Sequence, residues 1–130
     1  MKPIKSFTVS PVLPKQLKPL QEIAYNLRFS WNAEMRDLFS RMDMDLWEET
    51  NHNPVEILSR LSQETLDEKA KDDSYIYLLN RVHDNFRHYM EKTPWYKESS
   101  DYHKNLKVAY FSMEYGITES LAIYSGGLGV

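Results

Sequence analysis

The sequence predicts a mainly α-helical protein that ends on the first strand and glycine-rich loop of an α/β fold. Three observations carry this. Apolar residues recur every three or four positions from Lys15 to Lys92, the spacing of helices with one buried face. At Lys107 the period changes, and Val108-Ala109-Tyr110-Phe111-Ser112-Met113 is a nearly continuous apolar run of β-favouring residues, as in a strand buried on both faces of a parallel sheet. All 4 glycines lie beyond it, three of them within Gly126-Gly127-Leu128-Gly129.

In chain order, an extended start is broken by Pro11 and Pro14. The segment from Lys15 to Ser30 is expected to be one helix, with Leu17, Leu20, Ile23, Ala24 and Leu27 inward and Pro19 tolerated in its first turn. Phe29 and Trp31 extend its apolar face, so the following junction should be buried. Asn32 looks like an N-cap, with Glu34 in the first turn and Met35, Leu38, Phe39 and Met42 inward. A short helical turn is expected around Asp43 to Trp47. Asn53-Pro54 is a capping residue followed by proline at the first helical position, opening a helix to Leu61 that buries Val55, Leu58 and Leu61. Ser62 restarts the chain into a polar helix, Gln63 to Lys71, held by Leu66. The clearest pattern runs from Ser74 to Lys92, where Tyr75, Leu78, Leu79, Val82, Phe86, Tyr89 and Met90 share a face until Thr93-Pro94 stops it. Residues 95–105 read as a loop.

A chain of 130 residues with a 42% hydrophobic and 27% charged composition is that of an ordinary globular domain. A net charge of −3 gives no reason to expect nucleic acid or an anionic membrane as partner. The acidic excess falls in residues 31–73, which reads as a solvated face. There are 0 cysteines, which removes disulfides, thiolate zinc sites and a cysteine nucleophile. No apolar run reaches the ~18 residues of a membrane span, and none near the N-terminus resembles a signal-peptide core; a cytoplasmic protein is expected. His83 and His88 stand five apart on one helix, the wrong spacing for a metal pair, so no metal is expected.

The chemical lead is the strand followed by glycines, since ligands in open α/β sheets sit beyond the carboxyl ends of strands. The fit to nucleotide fingerprints is poor: there is no G-x-G-x-x-G, and no Lys-Ser/Thr follows the glycines. Phosphate or sugar binding and a plain turn both remain open on pattern alone. Glu114 and Glu119 flank the loop and could serve as acid and base or as structural acceptors. Trp31, Trp47, Trp95 and Tyr96 could stack on sugar rings or pack in the core.

The run Val108 to Gly116, then Glu119-Ser120-Leu121 and Ile123-Tyr124-Ser125-Gly126-Gly127-Leu128-Gly129-Val130, resembles the entry segment of the bacterial and archaeal α-glucan (glycogen/maltodextrin) phosphorylases. Upstream, Ser30-Trp31-Asn32-Ala33-Glu34, Leu38-Phe39 and Leu46 to Val55 resemble the helical N-terminal extension of the shorter bacterial members. Ala122 departs from the proline usual in that family. The resemblance implies an α-helical extension over residues 1–103, and over 104–130 the incomplete start of the N-terminal Rossmann-like catalytic domain of a two-Rossmann-domain glycosyltransferase. It implies phosphorolysis of α-1,4-glucan to glucose 1-phosphate, with pyridoxal phosphate held by a lysine far towards the C-terminus of the family's chain and absent here. Backbone amides at Gly126, Gly127 and Leu128 would face phosphate and glucosyl unit, and Glu114 would accept a hydrogen bond behind them. No catalytic side chain is expected in these 130 residues, and the isolated chain should be inactive and bind no cofactor. Partners would be glucan, phosphate and the remainder of the catalytic domain, with self-association open. The strand without a sheet and the loop without a following helix read as the front part of something longer. Two other readings remain: the start of a nucleotide-sugar glycosyltransferase such as a glycogen or starch synthase, and a non-catalytic helical interaction module.

Overall fold

The computed structural model describes residues 11–99, 103–112 and 116–121. Among these, seven α-helices follow in order: α1 (Pro19–Ala24), α2 (Ala33–Ser40), α3 (Met44–Glu49), α4 (Pro54–Arg60), α5 (Gln63–Lys69), α6 (Asp73–Glu91) and α7 (Trp95–Glu98). Two 3-10 turns, Lys15–Leu17 and Leu27–Ser30, flank α1.

The starts of α2 to α6 are fixed by side chains. Asn32 Oδ1 accepts from Met35 N at 3.0 Å, Asp43 Oδ1 from Leu46 N at 2.9 Å, and Ser62 Oγ from Thr65 N at 3.0 Å. Asn53 Oδ1 accepts from Val55 N and Glu56 N, both at 3.1 Å, and Asp72 Oδ1 from Ser74 N at 3.0 Å and Tyr75 N at 3.1 Å. Each cap satisfies amides that the first helical turn leaves without partners.

The core gathers around α6. Its Tyr75, Leu79, Val82 and Phe86 are buried and meet Leu17, Leu20 and Ile23 from the α1 region and Met35, Leu38 and Phe39 from α2 in one cluster with Trp47, Ile57 and Leu66. Tyr75 crosses into α2, its hydroxyl donating to the Leu38 carbonyl at 2.9 Å. On the surface, His83 of α6 bonds Glu22 of α1 at 2.8 Å. That hydrogen bond, and secondarily the charges of His83 and Arg87, hold the Glu22 carboxyl below its ordinary range despite some opposing desolvation. The extended start is pinned to α5 by an amide pair: Val12 N donates to Gln63 Oε1 at 2.8 Å, and Gln63 Nε2 donates to Val12 O at 3.0 Å.

Several expectations are corrected. The single helix from Lys15 to Ser30 is three pieces, because Asn26 adopts an extended backbone (φ −116°, ψ 122°) and caps the second 3-10 turn through Arg28 N. That turn buries Phe29 but leaves Leu27 and Trp31 exposed, so the junction after it is not buried. In α4, Leu61 at its end is buried as expected, but within the helix the buried residues are Pro54 and Ile57, while Val55 and Leu58 are partly covered. Tyr89 and Met90 of α6 are exposed, lying beyond the last residue that meets the core, Phe86. Residues 95–98 are helical rather than loop.

Among the described residues there is no strand. Residues 106–112 have no regular secondary structure, and Val108, Tyr110 and Phe111 are exposed. A strand is defined by a ladder of backbone hydrogen bonds to a neighbouring strand, and no residue of this segment is assigned to one. Met113 lies outside them.

Burial pushes the Tyr75 phenol well above the usual tyrosine range, with the charges of Asp37 and Asp72 adding to the shift. A raised folded value means the contribution is full below the unfolded tyrosine value, about 10, and is lost as pH rises beyond it towards the folded value. Tyr75→Phe should therefore cost about 1 kcal/mol at neutral pH and flatten the fall in stability above pH ~10, measured by urea denaturation across pH. An unchanged alkaline slope would contradict this role.

Candidate functional site

The most constrained local geometry is at the end of α3. Thr50 is buried, and its hydroxyl donates to the carbonyls of Leu46 (2.9 Å) and Trp47 (3.1 Å). Asn51 N then reaches Glu48 O, and His52 N reaches Trp47 O, each at 3.0 Å. This pair of bonds is the Schellman closure of a helix end, with asparagine in the left-handed position usually given to glycine. Asn51 has φ 49° and His52 φ 58°, so two consecutive non-glycine residues hold a conformation that costs roughly 1–2 kcal/mol each for residues with a Cβ. Asn53 and Pro54 start α4 at once, which leaves the chain no slack to relax.

The strain sets the imidazole of His52 in place. Its ring lies 5.0 Å from that of Trp47, which stacks on Phe39 at 5.8 Å. His52 Nε2 is 3.1 Å from Glu48 Oε1, and Nδ1 meets Glu119 Oε2. Both contacts are donor bonds only in the imidazolium form. Glu119 comes from residues 116–121, where Leu121 N donates to Thr118 O at 3.0 Å. The helical unit therefore grips the segment leading to the glycine-rich loop through a preset histidine.

Of the residues singled out in sequence, Gly126, Gly127, Leu128 and Glu114 lie outside the described residues. Glu119, considered with Glu114 as an acid–base pair, is engaged by His52. Trp47 is core. Trp31 and Trp95 are exposed, and Trp95 packs edge-on against Tyr96 with ring centroids 6.0 Å apart. His83 is engaged by Glu22 while His88 is exposed, and no group of three metal-ligating side chains occurs among the described residues. No helix among the described residues is long and apolar enough to cross a membrane. His52 was missed as a site residue; its only local signal is Asn51 directly after a short helix.

A family model described as "Protein of unknown function (DUF3417)" matches residues 13–121. A glycogen phosphorylase of Mycobacterium tuberculosis is 37% identical over 135 aligned positions, covering 100% of this chain and 16% of that protein. A maltodextrin phosphorylase of Thermococcus litoralis is 44% identical over 120 positions, covering 91% of this chain and 14% of the relative. A glycogen phosphorylase of Aquifex aeolicus is 37% identical over 110 positions, covering 85% and 15%. The chain thus spans about one sixth of the length of these relatives. No solved structure matches it.

Glu119→Ala should free residues 116–121 without unfolding the helices, because the pair is exposed on the Glu119 side and such pairs contribute about 0–1 kcal/mol. Amide exchange at Leu121 should accelerate several-fold while α6 amides keep their protection. Equal exchange in both proteins would show that His52 does not hold the segment.

Proposed function

The chain belongs to the DUF3417 family, and from that premise we propose that it is the helical entry segment of an α-glucan phosphorylase, working as part of an enzyme that cleaves α-1,4-glucan with phosphate. The observation that carries this is likeness across 85–100% of the chain to proteins named glycogen and maltodextrin phosphorylase. On this reading residues 1–103 are the extension, residues 104–130 open the Rossmann-like domain, and Val108 to Met113 become its first strand once a neighbouring strand pairs with them.

The work of this chain is then positional. His52 holds Glu119, which stands seven positions before Gly126, and so limits where the loop can go. Amides at Gly126, Gly127 and Leu128 would donate to phosphate or to the glucosyl oxygen as charge develops, where fixed donors are most effective because they need no reorganisation. Glu114 would accept a hydrogen bond behind the loop. Glycine at 127 matters because a Cβ would hold the ligand away from the amides.

Pyridoxal phosphate, which this reading brings with it, would supply a phosphate group for proton transfer. The described residues do not fit it. Every described lysine is exposed or half-buried, whereas the cofactor needs one enclosed beside it, so no step through it is assigned to this chain.

A phosphorylase polypeptide carrying this chain should release glucose 1-phosphate from maltodextrin and phosphate, and the 130-residue chain alone should not. Gly127→Val in that polypeptide should lower kcat by roughly a hundredfold, the scale of losing one oxyanion donor. Glucosyl transfer from a nucleotide sugar without phosphorolysis would overturn the assignment.

A further inference from the structure

Where the second 3-10 turn meets the end of α6, the molecule presents exposed rings beside hydrogen-bond donors that lack strong acceptors among the described residues. Burying Phe29 turns its neighbours outward: Trp31 is 72% exposed, and Tyr89, across from it on α6, is 54% exposed. Asn26, Leu27, Arg28, Trp31, Asn32 and Tyr89 line an open cleft of about 270 Å³, small for a ligand site and suited to a sugar ring.

The side-chain polar groups of these residues that stay free of strong partners are mainly donors. The Arg28 guanidinium lies 3.5 Å over the Tyr89 ring. It forms no ion pair among the described residues, and its Nε is buried without a hydrogen-bond partner. The Oδ1 atoms of Asn26 and Asn32 are already taken by backbone amides, Arg28 N and Met35 N, each at 3.0 Å. What remains is their NH₂ groups. That of Asn26 reaches only the Met90 thioether, a weak acceptor, at 3.7 Å, and that of Asn32 has no partner among the described residues.

Such a cleft selects its occupant. An apolar peptide face would cover the rings but leave buried donors unpaired, at a cost of roughly 1–3 kcal/mol each. A bare phosphate would use Arg28 and ignore the rings. A pyranose has both an apolar face for stacking and many acceptor oxygens. We propose that this cleft is a binding site for an α-glucan, which lets the helical unit hold polysaccharide by itself. The choice of α-glucan among sugars rests on the phosphorylase reading; the cleft itself does not.

Titrating the 130-residue chain with maltoheptaose, followed by the indole N–H resonances of its 3 tryptophans, tests this. Trp31 should shift and saturate, while buried Trp47 stays still. Trp31→Ala should weaken binding at least tenfold with an unchanged far-UV spectrum, since the ring supports no core contact, and Arg28→Gln should weaken it several-fold. Cellohexaose should bind more weakly, and inorganic phosphate should leave Trp31 unmoved. Absence of any Trp31 shift, shifts confined to Trp95, binding indifferent to Trp31→Ala, or saturation by phosphate alone would each overturn the proposal. Equal binding of cellohexaose would overturn the choice of α-glucan. Because the readout is binding, it fails independently of phosphorolysis: a catalytically active parent whose entry segment ignores maltoheptaose removes this inference alone.

Discussion

Packing against the inner face of α6 is the interaction on which the rest of the structure depends. Helices α1 to α5 have six to eight residues each, well below the length at which an isolated helix persists in water, about 12–15 residues. Among the described helices only α6, with 19 residues, is long enough to offer several turns of apolar surface. Tyr75, Leu79, Val82 and Phe86 provide it, and α1, α2 and the Lys15–Leu17 turn lie against them. The side-chain caps of α2 to α6 lower the cost of starting so many short helices. Tyr75 joins the two effects, combining core burial with a hydrogen bond to the Leu38 carbonyl.

Short helices make many junctions, and the chemically interesting features sit at them. The α3–α4 junction has no glycine, so Asn51 and His52 take the left-handed turn themselves, and that conformation aims His52 at Glu119. The junction after α1 turns through Asn26 and 3-10 geometry, which exposes Trp31 beside Arg28 and Tyr89. In both places the core fixes the flanking residues, Trp47 and Phe39 at one and Phe29 at the other. A rigid helical scaffold thus carries a grip for the following segment on one junction and a donor-rich aromatic cleft on another.

Much of the scaffold was legible in the sequence. Asn32, Asn53-Pro54 and the spacing from Tyr75 to Phe86 state their structure locally, because caps and long apolar stripes act over one or a few turns. Phase in short elements was not legible: a seven-residue helix such as α4 offers too few turns to choose Ile57 over Val55 and Leu58. Trp31 was misplaced for a related reason, since a 3-10 turn rotates 120° per residue rather than 100° and moves side chains off the expected face. The contact of His52 with Glu119 spans 67 positions, and no local pattern announces it. Gly126, Gly127, Leu128 and Glu114 were readable only through resemblance. The run from Val108 was readable as β-favouring, but residues 106–112 have no regular secondary structure, because β propensity alone does not make a strand without a paired neighbour.

Whether this helical unit introduces the first strand and loop of a phosphorylase body would be decided by an experimental structure of a phosphorylase polypeptide containing this chain. In it, α1 to α6 should keep their packing, Val108 to Met113 should be hydrogen-bonded within a parallel sheet, and the Gly126 to Gly129 loop should face bound phosphate. Residues 108–113 left unpaired, with the glycine loop turned away from the phosphate site, would contradict that role.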